Sequence, residues 1–482
     1  MTSTRIVGGS LWMIAMRWSM RSIGLVSTII LARLLTPDDF GLVAMAYIVV
    51  GLLQVLADAG VDLALLRDRN STTAHWNSAW TIQVMQGALV SVMLLLAVQP
   101  SVLYFDEPRV STALLALSIC PFIDGFRNIG TVAFRKELDF AREFRFQVAQ
   151  KLATFIAVVS LAFLLKNYWA IIFARIIASF TGVAISYAMH EYRPRFTLER
   201  VRDIWSFSQW MLLSRIGEFG NGQTDKFIVG GTAGTSSMGD YHVAKEVASM
   251  LSAELIYPVR RALFPNFAIL VAEQQKYTQT VVTMLSIAAS LIMAVQFGLA
   301  AVANDFVAVI LGDRWLGITP VLQILSFAVC AKALTMLLEF LLPLTNQTRI
   351  AALTAWAELG VLILVLLYLQ RTYGTLESLA YGRLVIAIVF VPVMFAVIAR
   401  YCHVPFTAML AAIWRPLIAA TIMYFTVRWL VSGLVLDPLL RLPVTVAAGA
   451  AVYLLSLVSL WIIAGRPAGL ENEVWKRLRS AP

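Results

Sequence analysis

Apolar segments long enough to cross a lipid bilayer recur along almost the whole chain. A membrane-spanning helix needs about 20 mostly apolar residues, and about fourteen stretches of this kind are separated only by short polar connections. Hydrophobic residues make up 60% of the 482 residues and charged residues 14%, whereas a soluble domain has about half and a quarter. A single soluble globule and a disordered chain are therefore excluded. The spans of the predicted all-α, polytopic membrane protein lie near 10–33, 40–62, 79–99, 111–133, 146–165, 168–189, 204–231, 240–264, 279–303, 317–341, 350–370, 376–398, 413–434 and 443–464.

The basic residues fall mainly in alternate connections between these segments. Connections on one side hold several Lys or Arg residues, as in the one that carries Arg135, Lys136, Arg142 and Arg145. Connections on the other side hold about one each, so the positive-inside rule places both termini in the cytoplasm. This orientation, with attraction to anionic membrane lipids, explains the net charge of +10. No basic stretch lies in a soluble domain, so nucleic-acid binding is not expected.

A repeated segment relates the two halves of the chain. Shifting the sequence by the 198 positions from Ser10 to Ser208 aligns 10–17 with 208–215, with identical Ser, Trp, Met and Arg residues, and aligns Gly41 with Gly239. Coincidence between two amphipathic helices is the alternative explanation. Because about six spans separate the copies, both enter the membrane from the same side. Parallel repeats of this kind are typical of transporters, whose substrate site lies between the halves near the bilayer midplane.

The repeat predicts two six-helix bundles followed by two further transmembrane helices. The N-terminal bundle covers 1–190, a cytoplasmic connector covers 191–203, and the second bundle covers 204–400. The region 401–482 holds the two extra helices and a basic cytoplasmic tail. The connector is the longest polar stretch, so no domain outside the membrane is expected.

Ionisable side chains inside the predicted spans point to a functional site. Such groups are unfavourable in a bilayer, and they usually face a cavity or pair within the protein. Arg17 and Arg21 are four residues apart and share one helix face, while Arg215 repeats Arg17. One interpretation is a cationic cavity lined by these arginines, with Lys226 and Lys245 as further members. The other is that Arg17 snorkels to the inner interface and that the later charges form structural ion pairs.

Acidic residues accompany these cations. Glu218 lies three residues after Arg215, so the two can neutralise each other. Asp225 and Lys226 are adjacent, which turns them to different faces of the helix. The pairs that we interpret as structural contacts within the bundles are Asp124 with Arg127 and Lys332 with Glu339.

The sequence carries no pattern for metal binding or catalysis. Its three cysteines lie in or beside apolar runs without CxxC spacing, and its four histidines are scattered. Asp38 and Asp39 precede the second span, where a helix-capping role is favoured over cation binding. The outer connections are short and hold no nucleophile with an adjacent base. We therefore expect no metal site and no enzyme activity.

Two motifs resemble those of bacterial polysaccharide-unit flippases. The run LARLLTPDDFGLVAMA at 31–46, followed by ADAG at 57–60, resembles the opening of that family. The runs DKFIVG at 225–230 and GDYHVA at 239–244 resemble its Asp–Lys/Arg pair and the Gly-x-Tyr start of span eight. The chain is thus similar to the Wzx-like members of the multidrug/oligosaccharidyl-lipid/polysaccharide exporter superfamily, above all to the colanic-acid and teichuronic-acid exporter branch.

This resemblance implies alternating-access export of undecaprenyl-diphosphate-linked oligosaccharide units across the bacterial inner membrane, for exopolysaccharide or lipopolysaccharide biosynthesis. The residues that it assigns to the diphosphate headgroup are Arg17, Arg21, Arg215, Lys226 and Lys245. It implies no resident cofactor, and it suggests that a proton or sodium ion entering at Glu218 or Asp225 resets the carrier. The partners that it implies are the lipid-linked oligosaccharide, membrane lipids, and polysaccharide polymerase and assembly proteins.

Two other cargoes stay open within the same superfamily. An exporter of drug cations should line its cavity with carboxylates and aromatic rings, so the repeated arginines at 17 and 215 disfavour that cargo. A flippase for the peptidoglycan lipid precursor shares the fold and an anionic cargo. A membrane enzyme such as a polymerase or ligase is the competing class outside the superfamily.

Overall fold

Helices are the only regular secondary structure among the residues that the structure describes. It is a computed structural model, and the described residues are 2–58, 60–67, 71–137, 139–201, 209–250, 252, 274–434 and 436–465. These residues contain no β-strand. The predicted basic tail and most of the second half of predicted span eight lie outside them. The all-α, polytopic class expected from the apolar segments is confirmed.

The chain divides into two compact units. Unit 1 contains residues 1–219 and 229–239, and unit 2 contains 220–228 and 240–482. This division does not test the predicted bundles and connector, which stay a prediction. The helices before residue 200, all in unit 1, are α1 (Thr2–Leu34), α2 (Pro37–Ala57), α3 (Val61–Arg67), α4 (Thr73–Phe105), α5 (Arg109–Leu117), α6 (Ile119–Gly125), α7 (Val132–Lys136), α8 (Phe140–Leu165) and α9 (Trp169–Met189).

Two helices contribute residues to both units. They are α10 (Gln209–Thr232) and α11, whose described part is 234–250. Unit 2 then continues through α12 (Gln274–Phe306), α13 (Thr319–Glu339), α14 (Leu341–Leu344), α15 (Thr348–Thr372), α16 (Leu376–Tyr401), α17 (Phe406–Gly433) and α18 (Pro438–Ile463). A π-helical turn at Val307–Leu311 and a 3₁₀ segment at Asp313–Ile318 connect α12 to α13.

Ten helices among the described residues are long and apolar enough to cross a membrane. They coincide with predicted spans two, three, five, six and nine to fourteen. Predicted spans one and seven are helices α1 and α10, whose charged side chains lower their hydropathy. Predicted span eight is described only as far as α11 and residue 252. The expected total of fourteen therefore stays a prediction.

Predicted span four is a broken helix rather than a continuous one. Its two parts, Arg109–Gly125 and Ile129–Lys136, are bent by 68°. Asn128 lies at the break, where its Nδ2 donates to the carbonyl oxygens of His190 at 3.2 Å and Tyr192 at 2.7 Å. These hydrogen bonds satisfy two backbone carbonyl groups of the non-helical segment that follows α9. The long-range partners of Asn128 explain why hydropathy alone predicted one straight span.

The extended segment after α9 is held against the start of α4. The backbone N–H of Arg195 donates to Oδ1 of Asn77 at 2.9 Å, and that of Thr197 donates to Oγ1 of Thr81 at 3.0 Å. The phenol of Tyr192 also donates to Oδ1 of Asn77 at 2.6 Å. The described part of the predicted connector is therefore anchored to unit 1 by polar side chains of one helix.

Each unit has its own apolar core. In unit 1 the middle of α2 is buried, with Leu42, Met45 and Ala46 fully inaccessible to solvent. In unit 2 a continuous core joins side chains of α12, α13, α16, α17 and α18. Between helices in a membrane, close van der Waals packing of this kind provides much of the association energy.

Two glycines allow one close backbone approach in unit 1. A Cβ atom added to Gly41 of α2 would overlap the carbonyl oxygen of Thr235, and one added to Gly239 would overlap the carbonyl oxygen of Pro37. The same hypothetical Cβ of Gly41 would lie 2.9 Å from the backbone nitrogen of Gly239. The two glycines matched by the sequence repeat thus contact each other directly.

Candidate functional site

A charged pair in unit 1 joins α10 to the end of α2. Nη1 of Arg215 donates to Oδ2 of Asp58, and the two side chains are 32% and 33% exposed. Asp58 is the C-cap of α2, and its Oδ1 accepts a hydrogen bond from the backbone N–H of Gly60 at 2.9 Å. Helical spacing suggested Glu218 as the counter-charge of Arg215. The structure adds Asp58, which lies in the ADAG motif but could not be assigned as a partner from the sequence.

Asp58 also lines a cavity of about 530 Å³ in unit 1. Helices α2, α4, α6 and α10 supply its walls, which combine carboxamide, carboxylate and apolar groups. Several of these polar side chains belong to helices long and apolar enough to cross a membrane, where polar groups usually face a cavity or pair within the protein. The lining residues are Gly51, Gln54, Val55, Asp58, Gln83, Gln86, Gly87, Val90, Pro121, Asp124, Gly125 and Phe219.

Arg17 and Arg21 lie on α1 in partly exposed positions. Their spacing puts both on one face of the helix, and both side chains interact with other groups of the protein. Partial exposure is compatible with contact to a ligand and equally with a structural role. Their assignment to a diphosphate headgroup stays a prediction.

A second polar group in unit 1 surrounds Asp124 of the broken span. Nη2 of Arg127 lies 3.7 Å from Oδ1 of Asp124, which confirms the predicted local pair. Nη2 of Arg175 on α9 lies closer, at 2.5 Å from Oδ2. Asp124 and Arg127 also line a smaller cavity of about 210 Å³. The carboxylate of Asp124 is thus engaged by two arginines, one of which local spacing could not reveal.

Unit 2 contains a buried charge cluster centred on Asp225. Nζ of Lys245 lies 2.6 Å from both carboxylate oxygens of Asp225 and donates at 2.7 Å to the carbonyl oxygen of Gly222. The phenol of Tyr241 donates to Oδ2 of Asp225 at 3.0 Å. The Asp225 side chain is fully buried, and that of Lys245 is 14% exposed. The DKFIVG and GDYHVA motifs therefore meet at one carboxylate.

Further cations surround the same cluster. Nε of Arg383 on α16 lies 4.0 Å from Oδ2 of Asp225, with its side chain 11% exposed. Lys226 is also buried. The structure brings the predicted residues Asp225 and Lys245 together. It adds Arg383, whose contact spans too much of the chain to be inferred from spacing.

The two predicted ion-coupling residues have different surroundings. Glu218 is exposed and belongs to unit 1, whereas Asp225 is buried in unit 2. No group of three or more His, Cys, Asp or Glu residues able to hold a metal occurs among the described residues. Coupling through either carboxylate stays a prediction.

A separate ion-pair network in unit 2 has a structural character. Nζ of Lys332 lies 3.0 Å from Oε1 of Glu339 and 2.7 Å from Oε2 of Glu358. The predicted pairing of Lys332 with Glu339 is confirmed, and Glu358 of α15 completes it. A lysine held by two carboxylates in this way fixes α13 against α15.

Charged residues near the start of α2 and α5 form a network that is partly exposed. Asp39 completes a capping box with Thr36, which confirms its capping role. Asp38 instead pairs with Arg109, whose Nη1 lies 2.7 Å from Oδ2. Arg109 also donates to Glu107 at 2.8 Å, and this hydrogen bond holds the pKa of Glu107 below its ordinary value. These contacts tie the start of α2 to the start of α5.

The sequence matches the model of a protein family over more than half of the chain. The match covers residues 30–320, and the family is described as "Polysaccharide biosynthesis protein". The chain belongs to this family. The resemblance read from the motifs at 31–46 and 225–244 is thereby confirmed.

Individual relatives extend the match to nearly the whole chain. ExoT of Rhizobium meliloti (strain 1021), named a succinoglycan biosynthesis transport protein, is 26% identical over 94% of this chain and 92% of its own length. WzxC of Escherichia coli (strain K12), named a lipopolysaccharide biosynthesis protein, is 25% identical over 67% of this chain and 66% of its own length.

The fold is similar to that of a known flippase structure. The lipid II flippase MurJ, in an inward closed conformation, aligns with a TM-score of 0.76 at 12% identity, covering 95% of this chain and all of the other. At that identity the likeness shows the fold alone. The chain is a polytopic membrane protein of the polysaccharide biosynthesis family with a MurJ-like fold.

Proposed function

We propose that this protein is a flippase that moves undecaprenyl-diphosphate-linked oligosaccharide repeat units across the bacterial inner membrane for exopolysaccharide or lipopolysaccharide biosynthesis. The observation that carries this proposal is the near full-length match to relatives named for polysaccharide biosynthesis and transport. No nucleophile with an adjacent base is recognisable in the sequence, which favours a transporter over a membrane enzyme.

The diphosphate headgroup would be bound by basic side chains. Transfer of such an anion into hydrocarbon is strongly unfavourable, and arginine forks replace its hydration with charge-assisted hydrogen bonds. Arg17, Arg21 and Arg215 are the proposed contacts in unit 1. Lys226 and Lys245 are weaker ones in unit 2, because Lys245 already binds Asp225.

The proposed architecture has about fourteen transmembrane helices. The broken span from Arg109 to Lys136, α1, α10 and the helix that begins with α11 would each add one span to the ten helices already identified. These spans would form two six-helix bundles with two additional C-terminal helices and cytoplasmic termini. Alternating access would expose the site to each side in turn, with a proton or sodium ion at Glu218 or Asp225 as the coupling ion. Polysaccharide polymerase and assembly proteins would receive the exported unit.

A translocation assay tests the proposed activity. The purified protein is reconstituted into liposomes with a defined undecaprenyl-diphosphate-linked sugar, and a membrane-impermeant glycosidase reports the leaflet that each sugar occupies. We expect protein-dependent movement of sugar between leaflets. Movement no faster than in protein-free liposomes would contradict the proposal.

Transport of the peptidoglycan lipid precursor is the second candidate, favoured by the similarity to the MurJ fold. Expression of this protein in a strain that lacks its own precursor flippase separates the two cargoes. We expect no rescue of growth, because the relatives matched in sequence are named for other polysaccharides. Full rescue would favour the precursor. A drug-cation cargo is disfavoured by the arginines of α1 and α10, and transport of an organic cation by the same liposomes would reinstate it.

A further inference from the structure

Three glutamine side chains line the cavity of about 530 Å³ in unit 1. Gln54 lies on α2, and Gln83 and Gln86 lie on α4. At 1.5 Å per residue, Gln83 and Gln86 are about 15 and 20 Å from the first residue of α4. Both helices are otherwise apolar enough to span a membrane. Polar side chains within such helices usually face a cavity or pair within the protein.

Only one of the three carboxamides has an evident structural partner. Nε2 of Gln83 donates to the carbonyl oxygens of Gly125 at 2.9 Å and Arg127 at 3.0 Å, where the broken span leaves them without helical partners. Gln54 and Gln86 make no hydrogen bond within the described part of the chain. Their donors and acceptors are therefore available to a molecule in the cavity.

The charges of the cavity do not suit a diphosphate. Among the described residues of its lining, the charged ones are the carboxylates Asp58 and Asp124, and none is Lys or Arg. Each carboxylate is paired with an arginine that lies outside the lining, Arg215 and Arg175 respectively. An uncharged ligand that is rich in hydroxyl groups fits this combination better than an anion does.

The remaining walls complete a surface suited to sugar rings. Phe219 supplies an aromatic side chain, and a Cβ atom on Gly51 would lie 3.0 Å from its Cε2, so Gly51 makes room for the ring. Val55 and Val90 add apolar surface. The volume lies within the range of about 300–1,000 Å³ typical of sites for small ligands.

We propose that this cavity binds the uncharged sugar residues of the lipid-linked oligosaccharide, separately from the arginines that bind its headgroup. Each carboxamide offers both donors and an acceptor, which match the neighbouring hydroxyl groups of a pyranose ring. The apolar wall and Phe219 pack against the C–H face of the same ring. This inference rests on the proposed function, and it assigns Gln54 and Gln86 as contacts to the sugar.

A binding experiment with two lipids tests the assignment. The full-length protein in detergent is titrated with undecaprenyl diphosphate and with the undecaprenyl-diphosphate oligosaccharide extracted from the host cells. The variant is Gln54→Leu with Gln86→Leu. The matched control is Gln99→Leu, an exposed position of α4 about 20 Å beyond Gln86.

We expect the double variant to bind the oligosaccharide lipid about tenfold more weakly, since it loses hydrogen bonds worth about that factor in total. Its affinity for undecaprenyl diphosphate should not change, and Gln99→Leu should change neither affinity. Unchanged affinity for both lipids, or an equal loss for both, would overturn the sugar site. If the unaltered protein binds neither lipid, the proposed function itself fails.

Should the double variant not fold, the single variant Gln54→Leu, at an exposed position, replaces it. We expect its affinity for the oligosaccharide lipid to fall about threefold, with no change in its affinity for undecaprenyl diphosphate. An unchanged affinity for the oligosaccharide lipid would overturn the assignment.

Discussion

The predicted binding cations of unit 1 and those of unit 2 lie in different surroundings. Arg17, Arg21 and Arg215 are partly exposed, and the carboxylate paired with Arg215 borders a cavity. Lys226 and Lys245 are largely buried, and Lys245 is bound on both oxygens of Asp225. The basic residues that the sequence predicts as headgroup contacts are therefore partly exposed in unit 1, which we call the open environment. In unit 2 they are buried, which we call the closed environment.

This difference separates exchangeable ion pairs from fixed ones. An exposed pair contributes little net stability and is easily replaced by another partner. A buried pair is strongly destabilising to break, because the remaining charge stays without compensation. We infer that headgroup binding depends mainly on unit 1, whereas the cluster in unit 2 mainly maintains the fold.

The largest expected effect is the loss of stability on breaking the buried ion pair between Asp225 and Lys245. Asp225→Leu leaves Lys245 buried without its carboxylate and should destabilise the protein by about 3–5 kcal/mol. Thermal unfolding of the full-length protein in detergent measures the loss. Combining Asp225→Leu with Lys245→Met should restore most of the stability. A single variant as stable as the unaltered protein would show that this pair is not fixed.

The next effect concerns activity in the open environment. Arg17→Ala with Arg21→Ala removes two charge-assisted hydrogen bonds of about 1.5–3 kcal/mol each, so export should fall at least about a hundredfold. Polymer output and liposome translocation measure the loss, while the amount of protein in the membrane should not change.

Two control variants sharpen this result. Arg33→Ala, in the last turn of the same helix, should leave export intact. Arg17→Lys with Arg21→Lys should retain part of the activity if charge alone suffices, and little of it if the planar fork is required. Normal export from the double alanine variant would show that neither arginine binds the headgroup.

A smaller effect is expected from Asp58. Asp58→Asn releases Arg215 from its counter-charge, and we expect this partly exposed pair to be worth about 1 kcal/mol. Binding of undecaprenyl diphosphate should therefore become about two- to fivefold tighter, with little change in melting temperature. Titration of the variant beside Arg215→Ala, which should bind more weakly, checks the direction. A melting temperature that falls as far as that of Asp225→Leu would abolish the distinction between the two environments.

The smallest effect belongs to the exposed network at Glu107. Its pKa in the folded protein is lowered by the hydrogen bond from Arg109, so its stabilising contribution is present above the ordinary Glu pKa of about 4.3. That contribution is lost as the pH falls through the lower folded value. Melting curves of the unaltered protein and Glu107→Gln should differ by less than about 1 kcal/mol at pH 7 and converge in acid. A difference in stability that does not change with pH would show that packing, rather than ionisation of Glu107, causes the effect.

The sequence was sufficient for the features that depend on local composition. Apolar length predicted ten of the helices, and the position of Asp39 before the second span predicted its capping role, although not its partner Thr36. The break near Asn128 and the pairing of Arg215 with Asp58 could not be predicted, because their partners come from distant parts of the chain. Gln54 and Gln86 were missed, because an uncharged amide in an apolar run gives a weaker signal than an arginine does.

The contact between Gly41 and Gly239 has an evolutionary consequence. In a duplicated chain these positions descend from one ancestral residue, which would have touched its own copy across a symmetry axis. A larger residue at either position cannot be accommodated by a smaller residue at the other, because glycine is already the smallest residue. In such a chain the two repeats could diverge elsewhere by compensating changes, whereas at this point each glycine restricts the other position to glycine.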